Sequence, residues 1–216
     1  VIQWVHRSTR GWSYGASVVD PRSGEILKGH VSLGSLRIRQ DFMIAQALTD
    51  KPYANGKTDD SPMLALALAR IRQLSAHEIG HTLGFAHNFA ASVKNRASVM
   101  DYPHPTLGLE AGKISYENAY AVGIGDWDKV SVKYAYSDFP ETVNETDALN
   151  AILEKSSADG HRFISDRDAR PIGGAHPYAH LWDNGTSAVG EYENLLSIRK
   201  LAMDNFSIDQ LKEGEP

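Results

Sequence analysis

Residues 77–87 read His-Glu-Ile-Gly-His-Thr-Leu-Gly-Phe-Ala-His. No other stretch constrains the chain as tightly, because this one demands a helix, a sharp stop and a return. Residues four apart on an α-helix share a face one turn apart, so His77 and His81 can aim their imidazoles at one point. Glu78 is one step round the helix, beside that point without having to occupy it. Gly84 tolerates left-handed dihedrals and can end the helix in a turn. The turn lets His87 come back as a third nitrogen. Three protein nitrogens and an open fourth position describe a catalytic zinc rather than a structural one. Glu78 would then be placed to take a proton from an attacking water.

The stretch fits the extended pattern H-E-x-x-H-x-x-G-x-x-H with no position missing. Met100, thirteen residues beyond His87, lies in the segment Ser98-Val99-Met100-Asp101-Tyr102-Pro103. In both parts the chain resembles the metzincin clan of zinc peptidases, in which a methionine-containing turn follows the third histidine. The resemblance implies an α+β, zincin-like fold with a small sheet, a central zinc-binding helix, a Met-turn and a mainly helical C-terminal part. It implies one catalytic Zn2+ on His77, His81 and His87, with Glu78 as general base. Gly84 and Met100 would be structural at the site. Tyr102 matches the tyrosine that in some clan members reaches the metal or the transition state. The implied activity is metal-dependent hydrolysis of peptide bonds, of the endopeptidase kind, on a peptide or protein substrate. Asn88 departs from the pattern, since several metzincin families place an acidic residue after the third histidine. The segments Trp4-Val5-His6-Arg7, Arg10-Gly11-Trp12-Ser13-Tyr14-Gly15, Asp20-Pro21-Arg22 and Ser165-Asp166-Arg167-Asp168-Ala169-Arg170-Pro171 resemble a group of large bacterial zinc-dependent metalloproteases known mostly as domains of unknown function. That likeness favours an extracytoplasmic location.

Other readings compete. In a gluzincin the third ligand is a glutamate from a later helix, with Glu110 and Glu117 as candidates, but that leaves the placing of Gly84 and His87 unexplained. A zinc-containing module that binds peptides or proteins without cleaving them is a further alternative, and the intact Glu78 argues against it. His176 and His180 are also four apart, and Asp166, Asp168 and Asp183 lie close in sequence. Pro177 disturbs the helix face, and the aspartates do not have the spacing of a calcium loop. These residues read as loop packing rather than a second metal site. Arg7, Arg10, Arg37 and Arg39 read as partners of acidic groups rather than as carboxylate recognisers.

A length of 216 residues suits one domain, and a net charge of −5 without a basic cluster gives no sign of nucleic-acid binding. There is no cysteine, so thiolate ligands and disulfides are excluded. No apolar run of about eighteen residues could span a membrane. The division expected is a sheet and zinc-helix part over 1–87 and a Met-turn and helical part over 88–216. The abrupt strand-like start, Val1-Ile2-Gln3-Trp4-Val5, reads as a fragment of a longer chain with further domains and further strands upstream. Strands are expected at 12–20 and 25–33, and helices at 35–48, 61–81, 126–136, 145–156 and 187–206. Ser61 and Asp126 are the expected helix caps. The helix over 61–81 is apolar on several faces and should be buried. Residues 108–112 and 159–185 are expected to be irregular, the second a long segment of the kind that more often serves function.

Overall fold

The computed structural model describes residues 1–7, 11–174 and 176–214. Arg10, one of the arginines expected to pair with acidic groups, lies outside the described residues.

The chain opens with three strands, β1 (Ile2–Val5), β2 (Tyr14–Val19) and β3 (Ile26–Gly34), in the order β1-β3-β2. β3 pairs parallel to β1 and antiparallel to β2, so β2 is an edge strand. The reversal before β3 uses Gly24 at φ 78°, a value that costs glycine nothing. Helix α1 (Leu36–Leu48) follows directly, and then the long helix α2 (Ser61–Thr82). The core between them gathers Ala45, Tyr53, Met63, Leu66, Ala119 and Tyr120.

Pro62 sits at the first turn of α2, where its missing N–H is no loss. Asp60, not Ser61, is the N-cap of α2. Ser61 is already helical, and its N–H donates to the Asp59 carboxylate at 2.9 Å. A second correction concerns 108–112. These residues belong to a short hairpin, β4 (Gly108–Glu110) with β5 (Lys113–Ser115). Its turn residues Ala111 and Gly112 both have positive φ, 49° and 76°, as a tight two-residue reversal requires. Three residues per strand are too few for an alternation to show.

The C-terminal part contains α3 (Asp126–Tyr136), α4 (Glu145–Ala158), the single turn α5 (Asp166–Ala169) and α6 (Ala188–Asn205). Asp126 is not the cap of α3. Gly125 is the N-cap, and its N–H donates to the carboxylate of Asp128, three residues on, at 2.7 Å. Asn144 and Ser187 cap α4 and α6 with their own side chains.

The accessible surface is 13516 Å2, against about 9,800 Å2 for a compact monomer of this size. Part of the exposed apolar surface lies on α2. Its inner side is buried through Met63, Leu66, Ala67 and Arg70, but Leu64 and Leu68 are 45% and 47% exposed. The expectation of a buried helix therefore holds for its inner side and fails at Leu64 and Leu68. Three strands and α1 are not enough to surround it. No helix among the described residues is long and apolar enough to cross a membrane.

The sheet meets α2 through glycines. A Cβ on Gly15 of β2 would lie 1.9 Å from the Glu78 carbonyl oxygen, which is main chain and cannot rotate away. Gly15→Ala should therefore lift β2 from the helix and lower stability by about 2 kcal/mol or more. Thermal unfolding of this variant beside Gly34→Ala, whose added methyl meets nothing within 4 Å, checks the point. Equal melting temperatures for the two would refute it.

Candidate metal centre

The last turns of α2 carry His77, Glu78 and His81, and the helix ends as the glycine predicts. Gly84 has φ 88°. The Phe85 N–H donates back to the Gly80 carbonyl at 3.1 Å and the Gly84 N–H to that of His81 at 3.0 Å, which is the Schellman pattern of helix termination. The turn has a second effect. It presents the Phe85 carbonyl to His81 Nδ1 at 2.8 Å. Tyr136 of α3 fixes the same corner, donating its hydroxyl to the Leu83 carbonyl at 2.7 Å.

Beyond the turn the chain brings His87 to the other two. His81 Nε2 lies 3.1 Å from His77 Nε2 and 3.1 Å from His87 Nε2. The three rings form the only group of this kind among the described residues. Two nitrogens on one tetrahedral zinc are about 3.3 Å apart, so the spacing fits a shared ion.

The opposite ring nitrogens show why these contacts are not hydrogen bonds. His77 Nδ1 faces the Val99 carbonyl at 2.7 Å, His81 Nδ1 the Phe85 carbonyl, and His87 Nδ1 the Asp166 carboxylate at 2.7 Å. Each acceptor requires a proton on Nδ1, which leaves all three Nε2 atoms as lone pairs aimed at one point. Lone pairs at this distance repel unless a cation lies among them. The donor set therefore fits a metal, and its outer partners fix tautomer and ring orientation as metal-site partners do. Burial pushes His77 down to about 3 and lowers His81 as well, so both rings stay neutral and able to ligate.

Three of the supporting groups were not assigned these roles from sequence. Asn88, the departure from the clan pattern, is 1% exposed. Its amide donates to the Arg162 carbonyl at 2.9 Å and accepts from the Ile164 N–H at 3.2 Å. A carboxylate has no hydrogen to donate and could not make both bonds. This clip holds 162–164 against the chain and delivers Asp166 to His87. From sequence Asp166 reads as loop packing, and no local signal ties it to a histidine 79 residues away. Burial works to raise the Asp166 carboxyl, but the bonds from His87 and Arg170 outweigh it and hold it below its ordinary value.

The third group is Asp128 of α3. Its carboxylate accepts from Ser98 Oγ at 2.5 Å and from the Val99 N–H at 2.9 Å, and so shapes the turn containing Met100. Gln73 of α2 donates to the Val99 carbonyl at 3.2 Å, the same carbonyl that orients His77. Met100 is buried with its thioether against Gly80, where a Cβ would come within 2.3 Å of the sulfur. The methionine thus lies directly under the helix that carries the histidines.

Asp101 accepts the Ser92 and Tyr102 N–H groups at 2.9 and 2.6 Å, and burial pushes its carboxyl up to about 7. Tyr102 follows, its ring centroid 4.5 Å from that of His87 and 5.3 Å from that of His77. Glu78 is 5% exposed. Burial raises its carboxyl to about 7, against the opposing effects of the Gly15 N–H and the Arg70 charge.

The gluzincin candidates lie elsewhere. Glu110 and Glu117 line a groove with Pro62 at the far end of α2. His176 accepts the Tyr178 N–H at 3.1 Å and joins no metal cluster. Arg37 pairs with Asp41 inside α1, as expected of an arginine seeking an acidic partner.

A helix-borne histidine pair, a third histidine beyond a glycine turn and a methionine packed beneath them are the parts of a zincin site. Residues 59–216 match the protein family described as Met-zincin, and the chain belongs to that family. Membership supports a function of the zinc-metalloprotease kind, and the histidine cluster supports zinc binding. No curated protein matches the chain, and no solved structure does.

Asp166→Ala removes the acceptor that fixes the His87 tautomer. Zinc affinity should fall about 10- to 100-fold while the fold persists, and Asp166→Asn, which keeps an acceptor, should lose less. Competition with a coloured chelator measures this, and unchanged affinity in Asp166→Ala would remove Asp166 from the site.

Proposed function

We propose that the chain is a zinc-dependent endopeptidase that hydrolyses peptide bonds by direct attack of water, with no covalent intermediate. The observation that carries the reading is the convergence of three Nε2 lone pairs whose Nδ1 partners are all oxygen acceptors. His77, His81 and His87 would hold one ion. A bound zinc ion would supply Lewis acidity to a scissile carbonyl and to the attacking water. Glu78 takes the proton from that water and passes it to the leaving amine. Its burial suits this work, because a carboxyl near 7 accepts a proton at neutral pH without being a weak base. A dication in front of it would draw the value down again.

A peptide in extended form would add to the free edge of β2. That edge is next to the site, since Gly15 of β2 abuts Glu78. Strand addition gives affinity through main-chain bonds that any sequence can make.

The test combines metal content and turnover on an unfolded protein substrate, with and without chelator. The expected result is about one zinc per chain, loss of that zinc in His87→Ala, and turnover that chelator abolishes and zinc restores. Stoichiometric zinc without turnover would support the non-catalytic binding module instead. Full zinc affinity in His87→Ala would show that His87 is not a ligand.

A further inference from the structure

Trp182 has the backbone conformation least suited to its side chain. Its φ is 63°, in the left-handed region that bulky residues rarely enter. Such conformations persist where surroundings impose them, and they gather at sites of function. Three contacts impose this one. The Trp182 N–H donates to the Tyr102 carbonyl at 2.9 Å. The indole stacks on the Tyr102 ring, centroids 5.2 Å apart and planes 17° from parallel. Two residues on, Asn184 is 4% exposed and donates to the His104 carbonyl at 2.9 Å. The strap is therefore pinned at both ends to the segment that leaves the methionine turn.

The rings form a tier. His87 and His77 contact Tyr102, and Tyr102 contacts Trp182. The tier is closed at its metal end and open at the other, because Trp182 remains 53% exposed. Tyr102 stacks on one indole face, and the exposed part of Trp182 belongs to a ring one step removed from the His77 and His87 imidazoles. A tryptophan needed only as packing would be turned inward, and its φ would not have to be positive.

We propose that Trp182 is a specificity-determining residue whose open face takes an aromatic side chain of the peptide substrate next to the metal centre. The proposal rests on the peptidase reading and names the side-chain class that the site prefers. An exposed π-face with a rigid backing favours an uncharged ring in an offset stack.

Peptidyl hydroxamates that differ only in the side chain beside the chelating group test this by binding, without turnover. Zinc-loaded wild type should bind the phenylalanine compound about tenfold more tightly than the alanine compound, and more tightly than the lysine compound. Trp182→Leu should lose most of that ratio and Trp182→Tyr should keep it. A purely structural Trp182 would weaken all three compounds alike in Trp182→Leu, and that result overturns the inference. So does a wild type that prefers alanine or lysine. If Trp182→Leu does not fold, tryptophan emission decides. The phenylalanine compound should change the emission of wild type and leave that of Trp182→Tyr unchanged, and an equal response in both overturns the inference. Zinc-loaded protein that binds no hydroxamate would defeat the peptidase reading, and the inference with it. Cleavage with no side-chain preference at any position would defeat the inference alone.

Discussion

Glu78→Gln should keep its zinc and lose its turnover. The amide has almost the shape of the carboxylate, and Glu78 is not one of the three converging nitrogens, so metal content should match wild type. What disappears is the capacity to accept a proton. Loss of a general base costs typically 10²- to 10⁴-fold in rate. The fall should appear in kcat and in kcat/KM together, because the proton moves in the transition state. A carboxyl that is 5% exposed also has a structural role, so folding needs its own control. The Gly15 N–H that now faces a carboxylate would face an amide oxygen and keep an acceptor. Melting temperature should therefore change little. A zinc-loaded Glu78→Gln protein with wild-type kcat would end the proposed mechanism.

Tyr102→Phe has the second largest expected effect. Stacking on Trp182 and contacts with the His77 and His87 imidazoles hold the ring, and the phenylalanine ring can keep those contacts. Only the hydroxyl is lost. If that hydroxyl donates to the oxyanion forming on the attacked carbonyl, its removal costs about 3 kcal/mol, or about a hundredfold in rate. KM should barely move, since the bond exists only in the transition state. Zinc affinity should also hold, because three imidazoles carry it. If the ring merely packs and the hydroxyl is solvated, the substitution will be close to silent. A variant within twofold of wild type would establish that second case.

The sequence reveals the parts of the centre whose geometry is local. His77, His81, Gly84 and His87 lie within eleven residues, and helix periodicity alone brings the first two together. Pro62 marks the start of α2 and Gly84 its end, so that element could be read almost to the residue. The support of the site could not. His87 meets Asp166 across 79 positions, Asn88 meets Arg162 across 74, and Val99 meets Asp128 across 29. Nothing in a stretch of sequence shows which distant carboxylate a turn will present. The departure at Asn88 is visible, but its reason, an amide that must donate and accept, lies in residues 162–164. Periodicity also overstated the burial of α2. It counts apolar positions such as Leu64 and Leu68 without saying whether anything covers them.

The long reach of the Asn88 clip and the Asp166 bond bears on the order in which the molecule assembles. Closing a chain over 74 or 79 residues costs more entropy than forming a helix turn, so such contacts join late in folding. The first two histidines are in place as soon as α2 forms. The third stays free to rotate, and to hold its proton on either nitrogen, until residues 162–166 have docked. A chain stopped near residue 160 would possess the whole motif and lack the group that orients its last ligand. Competence to hold an ion firmly would thereby depend on completion of the C-terminal part, and a half-made chain should be a poor chelator.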